Sequence, residues 1–278
     1  MDPISLDAMA AAVPDGASIA MPPDNSLPAV ALAKALIRRG ARGLRLVGVP
    51  VSGFATDILI GAGCVEEVQT SAASLGEAGF APRFSAAVRD GSLRVLDATC
   101  PAIHTMLQAS EKGVPFMPLR GVIGSDILAH RPDWRVVPNP FSAEGEDPIL
   151  LLPALRPDFG AFHAVATDRA GNVWVGRRRE CATIAHASAR CLVTVERVVE
   201  GDLLADERLA PGVISAAYVT SVAVAERGAH PVALFDEYAA DSAYVAEYAR
   251  MARTAEGFGA WLEREVLNRP AASLAAAE

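Results

Sequence analysis

Short apolar runs alternate with longer amphipathic segments through the first half of the chain. Residues 17–21 and 44–49 are apolar runs of strand length, and residues 27–39 between them carry apolar side chains at helical spacing, with Gly40 as the stop signal. The alternation continues with strands predicted at 65–70, 93–96 and 115–117, a short helix or turn at 56–60, and helices at 82–89 and 102–111. This order predicts an α/β fold in which an open, mostly parallel sheet carries helices on both faces.

The second half is richer in strands. Residues 149–152, 159–165, 172–175, 191–198 and 213–224 all have the apolar, β-branched character of strands. Residues 127–148 are rich in proline and predict a loop-rich insertion, whereas residues 241–268 predict an amphipathic C-terminal helix that packs on the core or on another chain. We interpret residues 1–278 as a single domain, with a frayed Ala-rich tail.

Composition narrows the function classes. The 278 residues carry a formal net charge of −8 and are 51% hydrophobic, which is typical of a soluble protein with a large core and argues against nucleic-acid binding. The sequence shows neither a signal peptide nor an apolar stretch long enough for a membrane span. The four cysteines form no CxxC pair, so we expect reduced, mostly buried thiols in a cytoplasmic protein and no metal site.

The loop that follows the first predicted strand is a candidate binding element. Met21 ends the strand, and Asp24 and Asn25 precede the next helix, where a ligand could meet backbone N–H groups. An ordinary βα loop explains the same residues. Pro22 and Pro23 have no backbone N–H, which limits what the loop can donate to an oxyanion.

A second candidate lies where the predicted strand at 93–96 meets the next helix. Thr99, Cys100 and His104 could face a substrate, or Thr99 or Cys100 could simply cap the helix, with Pro101 in its first turn. A catalytic Cys–His pair needs hydrogen-bond separation and an orienting third group, which a sequence cannot show. All three interpretations stay open.

Residues 113–126, with the sequence GVPFMPLRGVIGSD, predict a buried strand that runs into a turn-rich loop. Arg120 beside Gly121 suits carboxylate or phosphate binding because the guanidinium binds such groups in a bidentate manner. A salt bridge to Asp126 is the structural alternative. Gly124, Ser125 and Asp126 complete this candidate binding loop.

Three further motifs have both structural and functional interpretations. Arg177, Arg178 and Arg179 could meet the phosphates of a large anionic cofactor or a partner chain, or form a solvated basic patch paired with Glu180. Residues 168–172 predict a turn between two strands, since Asn and Gly tolerate positive φ. Glu196 ends a predicted buried strand, as a candidate functional carboxylate or a paired structural one, with Arg197 on the opposite face.

Several of these passages occur in the same order in a known family. The segments DILIGAGCV (57–65), VQTS (68–71), GVPFMPLRGVIGSD (113–126), LPALRPD (152–158), DRAGNV (168–173) and LVTVE (192–196) resemble the A-type half of family I coenzyme A transferases, with that of glutaconate CoA-transferase as the nearest type. The resemblance covers roughly residues 13–235.

The resemblance implies a CoA-transferase fold and a partner of the B type, in an A₂B₂ or similar assembly. It implies coenzyme A as a substrate, with no tightly bound cofactor, and a glutamate nucleophile on the partner, so that no catalytic residue lies on this chain. The A-type half is expected to shape the acyl pocket. The residues expected to bind substrate are Met21, Asp24, Asn25, Thr99, Cys100, His104, Arg120, Gly121, Gly124, Ser125 and Asp126.

One departure from the family pattern leaves other activities open. The family has a Gly-Gly-Phe turn after its first strand, whereas this chain has Met21-Pro22-Pro23, which removes two backbone N–H donors. A CoA-thioester hydrolase or ring-opening lyase on the same scaffold is therefore an alternative. A non-catalytic small-molecule-binding module is a third, although no DNA-binding helix-turn-helix is evident.

Overall fold

The computed structural model describes residues 1–143 and 147–268, which form two sheets and the helices that cover them. The strands of the main sheet are β1 (Ser18–Met21), β2 (Leu44–Gly48), β3 (Val65–Thr70), β4 (Arg94–Asp97), β8 (Phe159–Asp168), β9 (Val173–Trp174), β10 (Arg190–Val199), β11 (Val213–Ile214) and β12 (Ser221–Val224). The strands of the small sheet are β5 (Phe116–Leu119), β6 (Arg135–Pro138) and β7 (Pro148–Pro153). The α-helices are α1 (Leu6–Ala11), α2 (Val30–Arg39), α3 (Phe54–Gly61), α4 (Pro82–Asp90), α5 (Cys100–Glu111), α6 (Arg179–Ala187), α7 (Ser242–Met251) and α8 (Ala255–Leu262).

The main sheet is parallel across seven of its strands, as the sequence predicts. The parallel order is β4-β3-β2-β1-β8-β10-β12, and the short strands β9 and β11 add antiparallel pairing. β1 pairs only with the first two residues of β8, Phe159 and Gly160, whereas β9 pairs with Ala166 and Thr167 near its end. The loop that leaves β1 therefore faces β9 across an open stretch of β8.

Apolar side chains bury both faces of this sheet. One core contains the buried faces of α1, α2 and α3 together with Tyr248 and Trp261 from the C-terminal helices. The other contains the buried faces of α5 and α6 and joins the small sheet through Leu150 and Leu152 of β7. The two cores confirm the expectation of helices on both faces.

Three segments differ in detail from the sequence expectations. The strand expected at 115–117 belongs to the antiparallel small sheet (β5-β7-β6) and not to the parallel one. The region expected as a loop-rich insertion at 127–148 contains β6, because its Val136 and Val137 find pairing partners on β7. The strand expected at 213–224 is interrupted by a 3₁₀ turn at Ala216–Tyr218.

The C-terminal segment is also divided. The helix expected at 241–268 consists of α7, α8 and a π-helical turn at Glu263–Leu267, and Asp241 and Thr254 cap the two α-helices through their side chains. Its aromatic stripe packs as the sequence indicates, with the Phe54 ring centroid 4.8 Å from that of Tyr248 and 5.9 Å from that of Trp261. The tail at 270–278 lies outside the described residues.

Candidate active site

The carboxyl ends of β1, β2, β3 and β4 lie side by side, because these four strands are parallel neighbours. In open α/β sheets, ligands bind outside this edge. The loops that leave the strands are joined by hydrogen bonds between their side chains and backbones. The positions of the predicted site residues are therefore described relative to this edge.

Asp24 connects the loop after β1 to the start of α3. Both of its carboxylate oxygens accept from the backbone N–H of Phe54, each at 3.0 Å. Glycine is required at position 53 by this close approach, since a Cβ there would lie 2.1 Å from Asp24 Oδ1. Burial raises the pKa of Asp24 to about 6, opposed by the Phe54 N–H and reinforced by the nearby charge of Asp57.

Asp57 is a second buried carboxyl group in this region. It accepts from Tyr248 Oη at 2.6 Å and from the backbone N–H of Phe84 at 2.7 Å and Arg83 at 3.4 Å. Burial raises its pKa, and these hydrogen bonds counteract the rise. Its contacts tie α3 to α4 and α7, so its role is structural.

Cys100 and Ser71 bring the ends of β4 and β3 together. Cys100 Sγ lies 3.2 Å from Ser71 Oγ, and Ser71 Oγ donates to the carbonyl of Pro50 at 2.9 Å. Because the serine hydrogen is used by that carbonyl, the thiol is the donor to serine. Thr99 caps α5 by accepting from the backbone N–H of Ala102 at 3.4 Å.

His104 lies one turn further along α5 and is partly buried. Burial lowers its pKa, and the charge of Glu180 on α6 opposes that effect. No hydrogen bond joins His104 to Cys100 within residues 1–143 and 147–268, so the geometry does not provide the Cys–His contact that a nucleophilic pair needs.

The loop after β5 reaches the same edge by a route that the sequence did not reveal. Arg131 is buried, donates to the carbonyl of Asp97 at 3.1 Å and binds the Asp133 carboxylate through two nitrogens, at 2.9 and 2.7 Å. Its guanidinium also lies 4.0 Å from the ring centroid of Trp134. This arginine anchors the end of the loop beside the carboxyl end of β4.

Arg120 has a different partner from the one considered in the sequence. It forms a bidentate salt bridge with Asp147, with Nη2 at 2.6 Å from Oδ2, and not with Asp126. Tertiary pairing of β5 with β7 brings these two residues together across 27 positions. Asp147 holds the pKa of Arg120 above its usual range, and Arg120 together with Asn139 holds the pKa of Asp147 below its usual range.

Among the remaining predicted site residues, Met21 is buried and the others are exposed to solvent. Met21 is at the end of β1, but its side chain is buried in the core and does not reach the site. Asn25 is exposed, and its carbonyl accepts from Arg178 Nε at 3.1 Å. In the loop after β5, Gly121, Gly124, Ser125 and Asp126 are all exposed.

Glu196 accepts hydrogen bonds from four groups that the sequence does not predict. Its Oε1 accepts from His163 Nε2 at 2.8 Å, Tyr238 Oη at 3.0 Å and the Gly228 N–H at 3.2 Å, and its Oε2 accepts from the Arg227 N–H at 2.8 Å. Burial would raise its pKa, but these donors outweigh burial and hold the pKa below the usual value. Glu196 is thus the paired structural carboxylate, and it fixes the loop that carries residues 227–238.

Other sequence expectations can be located directly. Arg197 is not the partner of Glu196, since its Nη1 donates to Glu237 Oε1 at 2.7 Å, next to Tyr238 in the same loop. Residues 168–172 form the turn between β8 and β9, with Asp168 accepting from the N–H groups of Gly171 and Asn172. The cysteines are free thiols, of which Cys64, Cys181 and Cys191 are buried and Cys100 is exposed.

The fold is that of an α/β protein whose loops cluster at the carboxyl edge of a parallel sheet. The family model for coenzyme A transferases matches residues 4–220. The chain belongs to the coenzyme A transferase family, which confirms the resemblance found in the sequence.

Curated relatives add detail. An uncharacterised protein of Archaeoglobus fulgidus is 31% identical over 83% of this chain, and the chain spans about half (51%) of that relative. The A-type half of the 3-oxoadipate CoA-transferase of Pseudomonas knackmussii is 30% identical, with 91% of this chain and 89% of that protein covered. The IpdA component of the cholesterol ring-cleaving hydrolase of Rhodococcus jostii is 30% identical, with coverage of 82% and 79%.

Solved structures agree on the fold. The glutaconate coenzyme A-transferase of Acidaminococcus fermentans superimposes with a TM-score of 0.88 at 23% identity, over 97% of this chain and 90% of that one. The decarboxylase AibA/AibB superimposes with a TM-score of 0.81 at 26% identity, over 95% and 98%. Within the described residues, no helix is both long and apolar enough to cross a membrane.

Proposed function

We propose that this chain is the A-type half of a heteromeric CoA transferase that moves CoA between an acyl-CoA and a carboxylic acid. The observation that carries the proposal is the composition of the carboxyl edge in a chain of this family. The loops after β1, β2, β3, β4 and β5 are represented by residues 22–29, 49–53, 71–81, 98–99 and 120–131, and Glu77 is the only glutamate among these residues. Glu77 is exposed in the 3₁₀ turn Gly76–Ala78, and no side-chain hydrogen bond to another described residue positions it. A glutamate nucleophile for this site is therefore assigned to a partner chain.

On this chain, the carboxylate of Asp24 lies at the same edge of the sheet, but it is unsuited to act as the nucleophile. Both oxygens of Asp24 are directed at the Phe54 N–H, and its raised pKa of about 6 reduces the charged fraction below neutral pH. Asp24 instead holds the β1 loop against α3. We assign this chain the shaping of the acyl pocket, with the loops at 21–25, 99–104 and 120–126 as its walls.

The proposed reaction divides the exchange into covalent steps. The partner's glutamate carboxylate attacks the thioester carbonyl, the C–S bond breaks, and CoA leaves as a thiolate. The thiolate attacks the glutamyl carbonyl of the mixed anhydride, which releases the first acid and leaves a glutamyl-CoA thioester. The second acid reverses these steps and leaves as its CoA thioester. In this scheme, Arg120 binds the carboxylate of the incoming acid.

The test is co-expression of this chain with a B-type chain encoded beside it, followed by an assay of acyl exchange over a panel of acyl-CoAs and acids. We expect a stable complex, for which A₂B₂ is the proposed stoichiometry, and acid-dependent formation of a new acyl-CoA. Either chain by itself is the control and should be inactive. Absence of both a complex and exchange contradicts the proposal.

The hydrolase or lyase alternative is supported by two prolines in the β1 loop and by the hydrolase name of the Rhodococcus relative. The same assay distinguishes this alternative from a transferase, because a hydrolase releases free CoA whether or not an acceptor acid is present. A complex that binds ligand but turns over no acyl-CoA would identify a non-catalytic binding module.

A further inference from the structure

A cavity of about 280 Å³ lies between the β1 loop and the far end of β8, away from the contacts of Cys100 and Arg120. Its apolar lining comes from Leu27 of the β1 loop, Val165 of β8, Trp174 of β9 and Phe235. Phe235 is 54% exposed, although it is a large apolar side chain. The cavity is small for a ligand site and has room for a body of about ten non-hydrogen atoms.

Two arginines, Arg177 and Arg178, also line this cavity. Arg177 is exposed, and Arg178 is partly buried, with Nε donating to the carbonyl of Asn25. Neither guanidinium has a carboxylate within salt-bridge distance in the part of the chain that the structure describes, whereas Arg120, Arg131, Arg169 and Arg197 each have one. Two unpaired cations beside an apolar cavity are suited to an anion with an apolar body.

The helix that follows the two arginines adds to the positive electrostatic potential beside the cavity. α6 begins at Arg179, directly after the two arginines, and its N-cap residue Arg178 makes no side-chain capping hydrogen bond. The N-terminus of a helix attracts negative charge. Glu180, in the first turn, is the acidic group on this element, and its charge also reaches His104 on α5.

The backbone around the cavity is held firmly. Val175 and Gly176 donate to the carbonyl of Gly212 at 2.9 and 3.1 Å, which fixes the turn that presents the arginines. On the opposite side, the Glu196 network holds the backbone of Arg227 and Gly228 and the hydroxyl of Tyr238, on either side of Phe235 along the chain. Pre-organised walls of this kind lower the cost of ordering a ligand.

We propose that this cavity binds a small organic anion, with its apolar part between Trp174 and Phe235 and its carboxylate at Arg177 and Arg178. The ligand class is a monocarboxylic acid with an apolar body of about eight carbons. The site is separate from the proposed place of Arg120 and requires no turnover, so it stands or falls independently of the transferase reaction.

The experiment measures binding of octanoate and phenylacetate to the full chain by calorimetry, with tryptophan fluorescence as a second readout because Trp174 lines the cavity while Trp134 and Trp261 are buried. Octanamide and phenylacetamide have the same shape without the charge. We expect saturable carboxylate binding, a change in emission and at least about tenfold weaker binding of the amides.

The double variant Arg177→Gln/Arg178→Gln should weaken carboxylate binding by at least about tenfold and leave the amides unaffected. Arg253→Gln, which removes an exposed arginine elsewhere, is the matched control and should bind as the parent does. Circular dichroism establishes that each variant is folded, and the single variant Arg177→Gln at its exposed position carries the test if the double variant does not fold.

Three results would overturn the proposal. They are equal affinity for acid and amide, undiminished binding in the folded arginine variant, and no detectable binding of either acid at millimolar concentration. Loss of carboxylate affinity only in the Arg177 and Arg178 variants would support it, whether or not CoA exchange is ever observed.

Discussion

Two arginine-bearing segments, each flanked by glycine, have opposite environments in this protein. The segment after β5 carries Arg120, which is exposed and held by the carboxylate of Asp147. The segment after β9 carries Arg177 and Arg178, which lie beside an apolar cavity without a carboxylate partner among residues 1–143 and 147–268. A glycine-flanked arginine is therefore most available to an anionic ligand where the tertiary structure leaves its charge unpaired, and a paired arginine such as Arg120 has to share its charge.

The two segments also differ in how tightly the backbone is packed, and this difference gives the largest predicted effect. A Cβ at Gly212 would lie 2.7 Å from the Cα and 2.8 Å from the carbonyl oxygen of Gly176, so Gly212→Ala should force the turn apart. We expect a loss of about 3 kcal/mol in unfolding free energy, measured by urea denaturation.

The matched control is Gly121→Ala in the other segment. A Cβ there would meet only the side chain of Leu119, at 3.8 Å, which is an ordinary contact. Its unfolding midpoint should stay close to that of the parent. Equal effects of the two substitutions would remove the proposed difference in packing.

Two carboxylates, Asp24 in the loop after β1 and Asp147 beside Arg120, should respond to pH in opposite directions. The folded-state pKa of Asp24 is raised by burial to about 6, so its contribution to stability is greatest below pH 4 and is lost as pH rises towards 6. The full linkage of such a shift is on the order of 3 kcal/mol, and partial exposure reduces the expected change to about 1–2 kcal/mol. Asp24→Asn should therefore gain stability relative to the parent between pH 4 and 6.

Asp147 should behave in the reverse manner. Arg120 and Asn139 lower its folded-state pKa, so its contribution is present above pH 4 and is lost as pH falls through that lowered pKa. Asp147→Asn should be less stable than the parent near neutral pH, with the deficit shrinking in acid. Denaturant titrations at a series of pH values measure the difference in unfolding free energy between each variant and the parent. If this difference had the same pH dependence for the Asp24 and Asp147 variants, the opposite pKa shifts assigned to the two carboxyl groups would be contradicted.

The smallest effect concerns catalysis by the complex. Arg120→Ala should raise KM for the acceptor acid by only about two- to fivefold, because the guanidinium is exposed and already shared with Asp147. Steady-state kinetics of the co-expressed complex measure this, with Arg253→Ala as the control. An unchanged KM would contradict the proposed contact between Arg120 and the acceptor acid.

Sequence reasoning succeeded where the signal was local. The alternation of apolar runs and helical stripes predicted β3 at its observed bounds, and β1, β2, β4 and α5 within one or two residues at each end. Strand pairing is non-local, so the sequence predicts the strand after residue 115 in the parallel sheet, whereas its partner β7 lies more than 25 residues further along the chain. The sequence pattern does not predict α1, which has only six residues, or α6, which begins within the basic run at 177–179.

The chain's order of apolar and polar residues and its contiguous motifs determined the α/β class, the family and the presence of loops at the strand ends, since each depends on residues close together in the sequence. The tertiary structure decided which charges are paired. Arg120 meets Asp147 and Glu196 meets His163 through strands distant in sequence, while Arg177 and Arg178 stay without a carboxylate partner in the described part of the chain. Coulombic and hydrogen-bond energies depend on distances that only folding sets, and spacing along the chain does not determine them.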